Sequence, residues 1–189
     1  MTEKARALVL LAQGNEEMEA VIAIDVMRRA EIDVTVAGLD GAGPIRCSRG
    51  VVITPDVALE EVSGEYDIVV LPGGAEGAQR LAEAPAVGEL LRNQEKAGRR
   101  VGAICAAPVA LKQHGVFKGR RMTSHPSVRT LLEDWGEYSE HSVVEDGNLI
   151  TSRGPGTAFA FALRIVGALT DAERMARVRA PMMFPVQVS

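Results

Sequence analysis

Arg100-Val101-Gly102-Ala103-Ile104-Cys105-Ala106-Ala107-Pro108 is the stretch whose reading decides the fold. Val101 to Ile104 is short and nearly free of polar groups, the pattern of a strand buried on both faces. It stops at Cys105 between small residues. Pro108 then suits an early position in a helix running to about His114, because that position needs no backbone N–H. Strand, tight turn and helix recur on either side. Residues 6–12 form a second apolar strand, followed by a helix over 16–30. That helix carries Met18, Val21, Ile22 and Met27 near helical spacing, with Glu16, Glu17 and Glu19 at its start and Arg28 and Arg29 at its end, as its dipole favours. Asp67 to Leu71 is a third such strand, cut off by Pro72-Gly73-Gly74 and followed by helical stretches near 77–82 and 86–97. Further strands are expected at 33–38, 51–53 and 121–123, with an irregular stretch at 40–50. A hairpin at 143–151 turns at Asp146-Gly147-Asn148, and helices near 157–169 and 171–177 close the chain. This alternation predicts an α/β fold with a mostly parallel central sheet and helices on both faces.

Length and composition agree with that reading. A chain of 189 residues that is 47% hydrophobic and 24% charged predicts one packed domain over 1–189 and excludes disorder. With 25 acidic against 21 basic side chains the formal net charge is −4, and aromatics are 4%. No basic run neutralises phosphates and little surface stacks on bases, so a nucleic-acid groove is not expected. The apolar runs are too short for a membrane span or a secretory signal. Cys47 and Cys105 stand in unlike contexts, and His114, His125 and His141 have no ligand spacing, so neither a metal site nor a disulfide framework is implied. The expected compartment is the reducing cytosol.

Ligands of open parallel sheets bind beyond the carboxyl ends of the strands, which directs attention to the turns at 13–17, 72–77 and 105–108. Cys105 has the setting of a nucleophile elbow, in which small neighbours permit a strained backbone. A helix amino terminus also favours the thiolate. The alternative is a small buried hydrophobe. Gly73 and Gly74 allow close backbone approach, so that the Gly74 and Ala106 amides could form an oxyanion hole; a plain strand-ending turn is the other reading. One of Glu16, Glu17 and Glu19 could reach Cys105 and, if buried, hold a proton, although most such glutamates are solvated. His125, before Pro126, is a further pocket candidate or a structural histidine.

Seven ordered motifs, at 12–19, 25–30, 34–39, 47–49, 69–74, 103–108 and 151–157, together resemble the DJ-one family of the ThiJ/PfpI superfamily over about residues 5–181. The resemblance implies a flavodoxin-like three-layer sandwich and a homodimer. It places the nucleophile on Cys105, its carboxyl partner on Glu19, the oxyanion amides on Gly74 and Ala106, and a pocket histidine on His125. Arg29, Arg49 and the loop Arg153-Gly154-Pro155 fall at its dimer interface or pocket rim. It further implies a cofactor-free, glutathione-independent glyoxalase or deglycase, of the hydrolase or lyase class, that protects against oxidative stress. Its substrates would be methylglyoxal and early glycation adducts of amines and thiols. A redox-sensing chaperone role through oxidation of Cys105 to sulfinate is the alternative, and a PfpI-type peptidase a weaker one. Nucleus and mitochondrion join the cytosol as family compartments. Thr54 and Ala20 stand where some members have Cys and Thr, which concentrates redox chemistry on Cys105. Ala106 stands where protease-like relatives place His, which disfavours a hydrolytic triad.

Overall fold

The computed structural model describes residues 4–184. In chain order its elements begin with β1 (Arg6–Leu11), α1 (Glu17–Arg29), β2 (Asp33–Gly38), β3 (Ile45–Arg46), β4 (Val52–Ile53) and β5 (Val57–Ala58). Next come β6 (Ile68–Leu71), α2 (Ala75–Glu83), α3 (Pro85–Lys96), β7 (Arg100–Ile104) and α4 (Pro108–Gln113). The last are β8 (Arg121–Met122), β9 (Glu137–Tyr138), β10 (Val143–Asp146), β11 (Leu149–Ser152), α5 (Ala158–Leu169) and α6 (Ala172–Arg179).

Seven strands form one sheet in the order β10-β11-β7-β6-β1-β2-β5. All neighbours run parallel except β10, which pairs antiparallel with β11 across the anticipated hairpin. Because strand side chains alternate between faces, β1 serves two cores at once. Ala7, Val9 and Leu11 join Ala23, Met27, Phe161 and Ile165 of α1 and α5 on one side. Leu8 and Leu10 join Leu81, Leu91 and Leu111 of α2, α3 and α4 on the other. The result is the three-layer sandwich, and it explains why the central strands read as continuous apolar runs.

Three short features depart from the sequence expectation. The 51–53 strand does not enter the main sheet; Val52–Ile53 pairs antiparallel with β3 inside the stretch expected to be irregular. The main sheet's edge is instead β5, only two residues long and paired with Ala37 and Gly38. Likewise β8 leaves the main sheet and pairs in parallel with β9. No helix among the described residues is long and apolar enough to cross a membrane. Of the carboxyl-terminal tail, Phe184 packs edge-on against Phe159 at 5.2 Å between centroids, and residues 185–189 lie outside the described chain.

Candidate active site

At the carboxyl end of β7 the backbone turns sharply through Cys105, whose φ is +64°. A side chain in this left-handed region costs about 1–3 kcal/mol, so the surroundings must impose it. They do so from two sides. The Cys105 N–H donates to the Ser152 carbonyl at the end of β11 (2.9 Å), and the His125 N–H donates to the Cys105 carbonyl (2.8 Å). The thiol is thereby lifted off the sheet at the start of α4, with the residue 9% exposed.

The neighbouring strand β6 ends in the turn Pro72-Gly73-Gly74. A Cβ on Gly73 would lie 2.5 Å from Cys105 Cβ and 2.7 Å from Glu19 Oε2, so only glycine lets this turn close over the thiol. Gly74 has φ +85° and begins α2. The backbone amides of Gly74 and Ala106 converge on the Cys105 sulfur. Glu19, in the first turns of α1, is fully buried; its Oε2 accepts the Gly73 N–H at 2.7 Å, and the carboxyl lies against the thiol. Burial, with the Glu16 charge adding to it, raises the Glu19 carboxyl to about 7 against the pull of the Gly73 amide and the thiol. Its Oε1 is buried with no hydrogen-bond partner, which is where a carboxyl proton would sit.

The thiol does not follow the simple expectation for a helix amino terminus. Burial and then the ionised Glu19 carboxylate push it up to about 12, while the Gly74 and Ala106 amides pull it down. The two groups compete for one negative charge in a dry space. When Glu19 carries the proton, its charge repulsion of the sulfur vanishes, and the Gly74 and Ala106 amides act against burial alone.

His125 caps the short helical turn Pro126–Leu131 through its Nδ1, which lies 2.7 Å from Ser127 Oγ and 3.2 Å from Ser127 N. A Cβ on Gly154 would sit 3.6 Å from the His125 ring, so the loop bearing Arg153 and Pro155 flanks that side of the elbow. Arg153 donates to the Glu140 carbonyl at 2.8 Å. Arg49 is on an exposed loop beside the start of α1, and Arg29 is at the far end of α1, paired with Asp25 at 2.6 Å. One chain therefore gathers Cys105, Glu19, Gly73, Gly74 and Ala106, with His125, Arg153 and Pro155 at the rim, and leaves Arg29 about 15 Å along the helix from Glu19. Among the described residues no group of three or more His, Cys, Asp or Glu is placed to hold a metal ion.

The DJ-1/PfpI family model matches residues 5–168. The chain belongs to the DJ-1/PfpI family. It is 54% identical over 183 residues to the zebrafish (Danio rerio) Parkinson disease protein 7 homolog, spanning 95% of this chain and 97% of that protein. It is 40% identical to the Caenorhabditis elegans glutathione-independent glyoxalase DJR-1.2, over 96% of this chain and 98% of the other. The crystal structure of Drosophila melanogaster DJ-1beta superposes with a TM-score of 0.95 at 49% identity, covering 97% of this chain and 100% of that one.

Within this DJ-1/PfpI chain the three glutamates of the first turn divide the work in a way their spacing could not reveal. Glu16 caps α1, accepting the Glu19 N–H at 2.8 Å. Glu17 is buried against the 47–51 loop, which it holds by accepting from Ser48 Oγ (2.9 Å) and the Arg49 N–H (2.8 Å). Burial raises its carboxyl, but the hydrogen bonds it accepts outweigh that and leave it below the usual range. Only Glu19 faces the thiol. Asn15 had no assigned role. It is fully buried, with Oδ1 accepting the Ala12 N–H (2.6 Å) and Nδ2 donating to the carbonyls of Pro72 (3.0 Å) and Gly73 (2.7 Å). The one signal for it is a polar residue following Gly14 directly at a strand end.

Proposed function

We propose that this protein is a cofactor-free glyoxalase that converts methylglyoxal to lactate at Cys105. The observation carrying this reading is the strained thiol held between two backbone amides and a buried, protonatable carboxyl. The thiol proton passes to Glu19 as the sulfur adds to the aldehyde carbon, and Glu19 hands it on to the new oxyanion, which faces the Gly74 and Ala106 amides. Glu19 removes the proton from that carbon to give an enediol and returns a proton to the neighbouring carbon, which becomes the alcohol. The aldehyde carbon is oxidised and the ketone carbon reduced, so no external oxidant enters. Water then cleaves the lactoyl thioester and restores the thiol. A Glu19 carboxyl near 7 is matched to taking and giving a proton near neutrality. The slight exposure of Cys105 favours a three-carbon aldehyde over a glycated protein side chain, which ranks deglycation of macromolecules below conversion of the free aldehyde. The relative from C. elegans that carries the glyoxalase name supports the same class.

Steady-state turnover of methylglyoxal in buffer free of amines tests this reading. Cys105→Ser and Glu19→Ala are each expected to lower kcat/KM by at least about 100-fold, the scale of losing a nucleophile or a general base. Wild-type rates in either variant would overturn it.

The unpartnered Glu19 Oε1 also favours a second reading, a redox sensor. Two equivalents of hydrogen peroxide would take the thiolate through sulfenate to sulfinate, releasing two waters, and a protonated Glu19 would donate to the product. Intact mass after mild peroxide is expected to show a stable gain of two oxygens in wild type and none in Cys105→Ala. Continued oxidation to sulfonate, or no gain, would count against it. The peptidase alternative is disfavoured, since Ala106 stands where protease-like relatives place His and the His125 Nδ1 is engaged by Ser127.

The chain is further proposed to pair with a second copy through α1 and the 47–52 segment. Its compartment is proposed to be the cytosol, with nucleus and mitochondrion as the family adds them.

A further inference from the structure

Of the three amides that serve the site, those of Gly73 and Gly74 belong to consecutive peptide planes. Gly73 N–H, which binds Glu19, lies in the plane of the Pro72 carbonyl. Gly74 N–H, which faces the sulfur, lies in the plane of the Gly73 carbonyl. A trans peptide is rigid and points its C=O and N–H in opposite directions, so whatever fixes the carbonyl also aims the amide. In this chain one side chain fixes both. Asn15 Nδ2 donates to Pro72 O at 3.0 Å and to Gly73 O at 2.7 Å, while its Oδ1 is anchored on the Ala12 N–H at 2.6 Å. The Glu16 N–H adds a second donor to Gly73 O at 3.0 Å but leaves Pro72 O untouched. Space for the amide is reserved from the far side: a Cβ on Gly77 would lie 2.3 Å from Asn15 Nδ2.

We infer that Asn15 is a positioning residue for the Cys105–Glu19 pair. By clamping the backs of two peptide planes it aims Gly73 N–H at the carboxyl and Gly74 N–H at the sulfur. The side-chain hydrogen bonds of Asn15 all go to backbone groups, not to the thiol. It sets the geometry in which the thiolate is stabilised, and a free turn of Pro-Gly-Gly sequence would not hold that geometry without it. This inference rests on the proposed role of the thiol, and it is tested on the sulfur itself so that its outcome does not depend on turnover.

Two variants disturb the clamp by different routes. Asn15→Ala removes the donors, and Gly77→Ala keeps Asn15 but drives a methyl group into its amide. Gln94→Ala is the control. Gln94 is also a buried amide donating to two carbonyls, Tyr66 O at 3.1 Å and Arg100 O at 3.0 Å, at the other end of the sheet. The thiol is titrated by thiolate absorbance and by alkylation with iodoacetamide across pH. Both clamp variants are expected to titrate at higher pH and to alkylate about tenfold more slowly near neutrality, one pKa unit in the thiol. The control is expected to lose thermal stability with an unchanged titration. Should one clamp variant fail to fold, the other carries the test. A wild-type titration in a folded clamp variant, or the same displacement in Gln94→Ala, would overturn the inference. A displaced titration in a protein that never turns over methylglyoxal would count against the glyoxalase reading and leave the clamp standing.

Discussion

Glu19 is held in its place against its own preference for water. The carboxyl is fully buried and titrates at about 7 in the fold, against an ordinary value of 4.5. An acid whose folded value is raised makes the folded state bind more protons than the unfolded one, so stability falls as pH rises. The loss begins as the unfolded group ionises above 4.5 and is complete once the folded group has ionised above about 7. Between about pH 5 and about pH 8 this amounts to about 2 kcal/mol. Glu19→Gln keeps an oxygen to accept the Gly73 N–H and removes the charge. Urea unfolding at those two pH values is expected to show the variant gaining about 2 kcal/mol on wild type at the higher pH. An equal difference at both would mean that the carboxyl ionises without penalty. The same substitution is expected to abolish turnover, which is the residue-scale trade between a stable site and a reactive one.

At the scale of elements, the sequence was most readable where one physical signal dominated. The apolar strands β1, β6 and β7, packed on both faces, stand out because every residue must be tolerated by a core. The elbow at Cys105 was visible in its small neighbours, and the structure adds the positive φ that those neighbours allow. Among the two-residue elements, β4 and β8 fall at strands legible in the sequence, whereas β3, β5 and β9 were not visible. Val57–Ala58 and Glu137–Tyr138 are too short to show alternation; the first is held by the end of the longer β2, the second by β8, which is itself two residues long. The acidic first turn of α1 was legible as a helix start but not as three roles. Glu16, Glu17 and Glu19 are interchangeable to the dipole; they separate only when the helix docks, turning Glu17 toward the 47–51 loop and Glu19 toward β6 and β7. Asn15 was invisible for a related reason, since its partners Pro72 and Gly73 are distant in the chain and are backbone carbonyls, which carry no residue identity. The thiol shows the opposite failure. A local rule about helix termini pointed downward, and burial beside a carboxylate, a property of the assembled fold, pointed upward.

For the whole molecule, the question left by the surface is what covers α1. Met18 and Val21, one turn apart on that helix, are 52% and 47% exposed, and Val51 and Val52 beside them are 50% and 55% exposed. Glu17 holds the two segments side by side through Ser48 and Arg49, so the four side chains form one apolar surface. Each is about half-buried already, so covering the rest yields roughly 1 kcal/mol per side chain. A two-fold interface uses every residue twice, for roughly 8 kcal/mol in all. Association costs about 4–15 kcal/mol, so this patch alone would be marginal, and the proposed interface would need polar contacts around it, where Arg49 stands. A marginal interface is sensitive to a single buried charge introduced twice by symmetry. Sedimentation velocity at about 10 μM, in the micromolar range usual for such measurements, is expected to give a species about twice the 20.1 kDa of one chain. Val52→Arg is expected to shift it to the monomer and to lower the thermal midpoint, with the thiol titration little changed. A monomeric wild type would remove the interface. A dimer unaffected by Val52→Arg would place it on another face, away from the loop that Glu17 ties to the helix bearing Glu19.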